Sequence, residues 1–295
     1  MKDWKRKKSA LVLGLCFALV CGLSLHGCGK EKADTAESEA LTEETMTFVD
    51  VDGTQHTMTI DADAVRHAYD LTDFIAYGDW MSYQGDSAYT YRLGVDVSYH
   101  QGDIDWQSVA DAGISFAFLR IGFRGYGEEG TLNIDEKFEE NYAGATAAGI
   151  DVGVYFFAQA VNEEEAIEEA KTVIAWLNER DLDLPVVYDP ETIYGEQSRT
   201  SDVSGQQFTA NTIAFCDTIL SAGYEVAIYA NMLWEAYELD MGQLKDYTFW
   251  YADYEAAPQT PYEFTYWQYT ETATVDGIST EVDLNIELIP TAATE

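Results

Sequence analysis

The chain is short of positive charge. Sixteen lysines and arginines stand against 53 aspartates and glutamates in 295 residues, a formal charge of −37. Five of the sixteen (Lys2, Lys5, Arg6, Lys7 and Lys8) crowd into the first eight positions, so the remainder is more acidic still. A surface this negative repels nucleic-acid phosphates and anionic lipid headgroups, which removes nucleic-acid binding as a leading function. Cysteine is scarce as well: Cys16, Cys21, Cys28 and Cys216 are the whole set, and no metal-ligand spacing connects them. The Gly-x-Gly-x-x-Gly run GYGEEG at 125–130 does not open a helix pattern, as a nucleotide site would need, and there is no phosphate-loop signature. What the chain does have is 47% hydrophobic and 14% aromatic residues, enough to fill a core and to exclude wholesale disorder. Its length suits one large domain with appendages, or two modest ones.

Residues 1–28 read as a targeting segment. A basic start precedes the apolar run SALVLGLCFALVCGLSL, which is short and poorly flanked for a spanning helix. The run ends in Leu25-His26-Gly27-Cys28, which resembles the bacterial lipobox, whose cysteine is lipidated and becomes the mature N-terminus. On this reading Cys28 anchors the protein by lipid to the outer face of the cytoplasmic membrane. Cys16 and Cys21 are removed with the leader. Cys216, within FTANTIAFCDTILSAG, remains as a small buried hydrophobe on a helix. An ordinary cleaved signal or an uncleaved anchor is the alternative.

Residues 29–46 are polar, acidic and free of aromatics, a composition that cannot bury a core and reads as a flexible tether. At 18 residues it would span on the order of 20–25 Å root mean square. Residues 47–91 form a small lead-in of unassigned role, expected to pack on the main domain. TFVDVDGTQHTMTI predicts a hairpin around Asp52-Gly53, and ADAVRHAYDLTDFIAYGDW has helix-like apolar spacing.

From about residue 92 to 290 strand and helix patterns alternate. Strand candidates occur at 93–98, 115–122, 152–158, 185–191, 225–231, 248–254, 264–270 and 282–288. Within EEEAIEEAKTVIAWLNER, residues Ile167, Ala170, Ile174 and Leu177 make one apolar stripe, behind an acidic first turn that suits the helix dipole. Apolar strands alternating with amphipathic helices predict an α/β fold with a parallel sheet covered on both faces, and eight of them suggest a (β/α) barrel. The last strands are too close for intervening helices, so that side should be irregular. A doubly wound open sheet is the alternative.

Carboxylates interrupt these strands. Asp96 lies in LGVDVS, Asp189 and Glu191 close PVVYDPE, and Asp283 lies in EVDLNI. A buried ionised carboxylate is costly unless paired, so each needs a reason. Asp189 and Glu191, two apart on an extended strand, point to one side, where repulsion should raise the pKa of one. An acid kept protonated beside an ionised partner suits glycosidic cleavage. A strand end turning into solvent is the plainer reading. Tyr155, Phe157, Tyr188, Tyr229, Trp250, Tyr251, Trp267 and Tyr269 follow the same strands; aromatic faces suit sugars, although any one of them alone is more often core. Of these, Tyr155, Tyr188, Tyr229, Trp250 and Trp267 are the candidates for substrate contact. His100, after the first strand, reads as a loop residue with a structural hydrogen bond.

GVDVSYHQGDIDW, FAFLRIGFRGYG, NYAGATAAGIDVGVYFFAQA, PVVYDPE, AIYAN, FWYADY, YWQYT and VDLN, in that order, resemble glycoside hydrolase family 25, the Chalaropsis-type lysozymes or N-acetylmuramidases. The resemblance covers about residues 92–289. It implies a flattened, TIM-like (β/α) barrel that cleaves the β-1,4 bond between N-acetylmuramic acid and N-acetylglucosamine in peptidoglycan, without metal or organic cofactor, as a monomer. It implies Glu191 as general acid, Asp189 as the neighbour that orients the substrate N-acetyl group or stabilises the transition state, and Asp96 and Asp283 as the rest of an acidic groove. Pro190 departs from the bulky or nonpolar residue common between the paired acids; it lacks an N–H and fixes its own φ. A catalytically lapsed glycan-binding lipoprotein and a chitinase-like glycosidase are the competing readings.

Overall fold

The computed structural model describes residues 43–191, 193 and 198–291; the leader, Cys28 and the tether up to residue 42 lie outside them. Two hairpins come first. β1 (Thr45–Val49) and β2 (Gln55–Thr59) pair antiparallel across the expected Asp52-Gly53 turn, where Gly53 takes φ 81°, a conformation open to glycine. β1 therefore begins inside the segment read as tether. β3 (Phe74–Tyr77) and β4 (Trp80–Tyr83) form the second hairpin.

The helix expected over 62–80 does not form, apart from one 3₁₀ turn at Leu71–Asp73 capped by Asp70. The segment is held extended against residues 260–264 instead. Arg66 bridges to Tyr262, the His67 N–H donates to the Pro261 carbonyl, and the Tyr69 hydroxyl donates to the Phe264 carbonyl. Its apolar residues are thus spent on the barrel wall singly rather than as a helical stripe; tertiary contact overrides local spacing.

The remaining elements are β5 (Tyr89–Val97), α1 (Trp106–Asp111), β6 (Phe116–Arg124), β7 (Leu132–Ile134), α2 (Phe138–Ala147), β8 (Asp151–Ala158), α3 (Glu163–Leu177), β9 (Val186–Pro190), α4 (Gly205–Ser221), β10 (Val226–Asn231), α5 (Met232–Tyr237), β11 (Thr248–Ala252), β12 (Tyr266–Ala273) and β13 (Val282–Pro290). Eight strands close a barrel in the order β5-β6-β8-β9-β10-β11-β12-β13, and β7 flanks β6 outside it. All eight strand candidates are present. The sheet is not wholly parallel: β13 runs antiparallel to both β12 and β5. With no helix between β11, β12 and β13, the chain returns by direct connection, which reverses the last strand.

Two apolar layers result. Phe116, Phe118, Leu184, Val187, Ala227, Tyr229, Trp250, Ala252 and Tyr266 fill the barrel interior, with Phe118 stacked on Trp250 at 4.6 Å between ring centroids. The second layer lies between the barrel wall, the helices and the lead-in, whose Phe48, Met58, Phe74 and Tyr83 are all buried in it. At Gly94 a Cβ would stand 2.3 Å from the Phe116 ring, so the aromatic plug requires glycine there. Cys216 on α4 is fully buried, as the sequence implied, and burial pushes its thiol pKa up.

Helix α3 starts where expected, with Asn162 accepting from the Glu165 N–H behind three glutamates. Its buried face is Ala166, Glu169, Ala170, Val173 and Leu177, so the stripe is rotated and Ile167 and Ile174 are only half-buried. The cause is Glu169, drawn inward by Arg124 Nε at 2.7 Å.

Candidate active site

The C-terminal ends of the parallel strands open into a cleft of about 780 Å³. Asp96 reaches it from β5, Asp189 from β9, and Glu191 from just past the end of β9. Asp283 also reaches it, but from the start of β13: the antiparallel register sets Asp283 directly opposite Asp96. All four carboxylates singled out in the sequence therefore meet in one cleft. Asp189 and Glu191 face the cleft together, as the two-residue period requires.

Pro190 fits its place. The β9–β10 ladder ends at the Tyr188–Ile228 pair, so no β10 partner is lost to the missing N–H, while β8 pairs alongside through Ala158. Beyond it the Glu191 carbonyl accepts from Gln159 Nε2 at 2.7 Å. Gln159 is itself buried: its Oε1 accepts from Thr200 Oγ1 at 3.1 Å, and its N–H donates to Glu169 at 3.1 Å. The Arg124–Glu169 ion pair thus supports, through Gln159, the backbone that presents Glu191.

The carboxylates differ in environment. Asp96 accepts from Gln268 Nε2 at 2.9 Å and Asn285 Nδ2 at 2.8 Å, and from the Asp283 carboxyl. Asp283 is the proton-bearing partner of that pair, with burial and the Asp96 charge raising its pKa to about 9. Asp189 is buried with no partner for Oδ1; burial, then Glu191 and Asp96, hold its pKa well above the usual carboxylate range, against the pull of Arg120. Burial, then Asp96 and Glu271, raise Glu191 to about 7. The guanidinium of Arg120 faces the cleft, paired with Asp135 at 2.8 Å. One such cation cannot balance this many carboxylates, so the cleft retains protons at neutral pH.

Asp283 being neutral has a measurable consequence. Asp283→Asn keeps a donor towards Asp96 and is expected to lower activity less than tenfold. Asp283→Leu leaves Asp96 short of a partner and is expected to lower it by well over tenfold. Steady-state kinetics on the two variants checks this; equal losses would mean that Asp283 acts as an ionised group.

Of the five candidate aromatics, Tyr155, Tyr229 and Trp250 line the cleft. Trp250 Nε1 donates to Asn285 at 2.7 Å, and the Tyr229 hydroxyl donates to Gln268 Oε1 at 3.0 Å. Tyr188 and Trp267 do not line it. Each is next to an inward-facing residue, Asp189 or Gln268, and so points outward into the second apolar layer. There Tyr188 packs on Phe215, and Trp267 packs on Phe74 and donates to the Asp253 carbonyl. His100 lies exposed at the cleft rim, where burial and Arg120 lower its pKa. Its ring has no hydrogen bond among the described residues, unlike the structural role expected.

Gln268, Asn285, Arg120 and Tyr254 complete the site and were not singled out in the sequence. Gln268 and Asn285 carried the same signal as the carboxylates, a polar residue inside an apolar strand. The Tyr254 hydroxyl donates to Gln268 Oε1 at 3.0 Å, so one amide gathers two tyrosines and passes its own N–H to Asp96.

The profile of the Glycosyl hydrolases family 25 matches residues 95–278. Lysozyme M1 of Streptomyces globisporus is 32% identical over 207 residues, covering 65% of this chain and 66% of that protein. The autolytic lysozyme of Clostridium acetobutylicum is 25% identical over 193 residues, covering 65% of this chain but only 54% of its own length, so the chain spans about half of that relative. The crystal structure of a bacterial lysozyme from Streptomyces coelicolor superposes with a TM-score of 0.54 at 28% identity, covering 68% of this chain and 94% of that one. The matched span takes in Asp96, Asp189 and Glu191 and ends short of β13 and its Asp283, and the protein belongs to glycosyl hydrolase family 25.

Proposed function

We propose that the protein is a muramidase that hydrolyses the β-1,4 bond between N-acetylmuramic acid and N-acetylglucosamine in peptidoglycan. Family membership and relatives named as lysozymes support the reaction class. The observation that carries the reading is Glu191: a carboxyl at the mouth of the barrel, half-buried, holding its proton up to a pH of about 7. Such a group can protonate a glycosidic oxygen at neutral pH.

In this reading Glu191 is the general acid. Asp189 is the partner of the substrate acetamido group, whose N–H would supply the hydrogen bond that Asp189 Oδ1 lacks and would favour the ionised carboxylate. The acetamido oxygen, so oriented, attacks the anomeric carbon as the leaving oxygen takes the Glu191 proton; water then opens the ring formed. Asp96 faces the oxocarbenium-like centre; burial raises its pKa, and the hydrogen bonds from Asn285, Gln268 and Asp283 work against that rise by favouring its charged form. Tyr155 offers its half-buried ring to the sugars, with the buried Trp250 and Tyr229 packed behind it.

Incubation with purified peptidoglycan, followed by mass spectrometry of new reducing ends, tests this. N-Acetylmuramic acid at the reducing end is expected; N-acetylglucosamine there would make the protein a glucosaminidase, and intact strands despite binding would make it a lapsed enzyme.

The same proposal includes location. Cys28, in its lipobox-like setting, is lipidated and holds the protein at the outer face of the cytoplasmic membrane, with residues 29–42 as tether, so that the cleft meets the wall. Cys28→Ala is expected to abolish labelling by a palmitate analogue and to shift the protein out of the membrane fraction. Unchanged fractionation would overturn the anchor.

A further inference from the structure

We propose that a cavity beside the cleft, walled by the β1–β2 turn, is a subsite for the peptide side chains of the substrate. Its ligand is a short aliphatic peptide bearing a free ammonium group. The inference rests on the muramidase reading and extends the same site.

The cavity holds about 780 Å³. Val49 and Val51 from the turn face Met232 and Leu233 at the start of α5 and Ala252 at the end of β11. It continues the cleft. Asn231 lies two residues beyond Tyr229 on β10, and Ala252 two beyond Trp250 on β11, on the same sides of their strands. Two residues of strand place the cavity about 7 Å further out from the barrel axis's aromatic plug. A sugar bound in the cleft would therefore direct its substituents into it.

The turn is a built wall. The Gln259 side chain accepts from the Val49 N–H and donates to the Val49 carbonyl, both at 2.8 Å, as a strand partner would. The Gln259 N–H donates to Asp253 Oδ2 at 3.0 Å, which also takes the Tyr251 hydroxyl at 2.7 Å. Phe48 is buried beneath, and the Tyr237 hydroxyl donates to the Thr57 carbonyl at 3.2 Å. Held this firmly, the turn still leaves Val51 81% exposed.

Lining chemistry selects the ligand. No aromatic ring lines the cavity, so it offers no plate for a sugar face, while its aliphatic walls suit methyl groups such as those of alanine. Its charged lining is Asp50, Asp52 and Asp253, without a cation, although His56 takes up one Asp50 oxygen at 2.7 Å. Negative potential at the rim favours an ammonium group. In the peptide stem that hangs from the lactyl group of N-acetylmuramic acid, the alanine methyls and the ammonium of the diamino acid fit this lining, while the stem's carboxylates stay in solvent. The wall belongs to residues 47–91, ahead of the family match at 95–278.

Full-length protein and its Val51→Arg variant, a change at an exposed position that spares the fold, test the proposal on glycan strands with intact stem peptides and on the same strands stripped by an amidase. The preference for intact over stripped strands, as a ratio of kcat/KM, is expected to fall about five- to tenfold in the variant. Ligand-observed NMR with N-acetyl-L-Ala-γ-D-Glu-L-Lys-D-Ala-D-Ala, whose single ammonium is that of lysine as in the substrate, should show binding to the wild type that the variant loses. An unchanged ratio, or equal peptide binding by both proteins, would overturn the subsite. Wild-type protein that cleaves neither substrate would defeat the muramidase reading alone, and the peptide-binding arm would still decide the subsite.

Discussion

Glu191→Gln is expected to lower turnover on peptidoglycan by about 10²–10⁴-fold, the usual contribution of a positioned proton donor. Glutamine keeps the shape and the backbone bond from Gln159, but it has no proton to give the leaving oxygen. The same variant should be the more stable protein at alkaline pH. Burial and two carboxylates hold the native pKa near 7, above the ordinary value of 4.5. A raised carboxyl contributes its stability fully below the unfolded value, and loses it as pH rises through the native one. The glutamine variant escapes that loss. A gain of about 1–3 kcal/mol at pH 8, and little at pH 4, is the expected order. Denaturant titrations at the two pH values, beside the kinetic assay, check both halves. A fully active variant removes Glu191 from the chemistry.

Asp189→Asn is expected to lower kcat by about 10²-fold or more through loss of the charge the bound substrate calls up. The pH profile separates this from a mere disturbance of Glu191. Burial, Glu191 and Asp96 hold the pKa of Asp189 well above the usual carboxylate range, whereas that of Glu191 is raised by burial, Asp96 and Glu271 and not by Asp189. The alkaline limb of kcat/KM, set by Glu191, should therefore remain near pH 7 in the variant while kcat falls. A limb shifted by a full unit towards acid would mean that Asp189 is ionised in the free cleft, and near wild-type kcat would remove it from the reaction.

The four carboxylates illustrate what a sequence offers towards a site. Each stood out because it broke an apolar strand, and burial of a charge demands an explanation wherever it occurs. The same test would have picked out Gln268 and Asn285, whose amides organise Asp96. Alternation was also available: with Asp189 facing the cleft, Tyr188 had to face away, and Trp267 stands in the same relation to Gln268. Arg120, midway along the apolar FAFLRIGF of β6, carried the same signal, whereas Tyr254 gave none, because a tyrosine just after a strand is ordinary on any surface.

The lead-in was less legible. Its first hairpin follows from local chemistry, an alternating pattern around Asp-Gly. The segment after it carries helical spacing, yet it is held extended by partners about 200 residues away in the chain, of which Tyr69 to Phe264 is one. Nothing within a window of twenty residues can reveal such a partner.

By itself the sequence determined the strand and helix alternation, the eight strands, the acidic surface and the pairing of Asp189 with Glu191 on one side, since all of these rest on composition or on periods of two and 3.6 residues. Only the tertiary structure decided that β13 closes the barrel antiparallel, so that Asp283 shares a proton with Asp96, and that the β1–β2 turn stands beside the cleft. Strand direction at closure and the docking of a distant hairpin depend on contacts between residues remote in the chain, and local pattern carries no information about which remote segments meet.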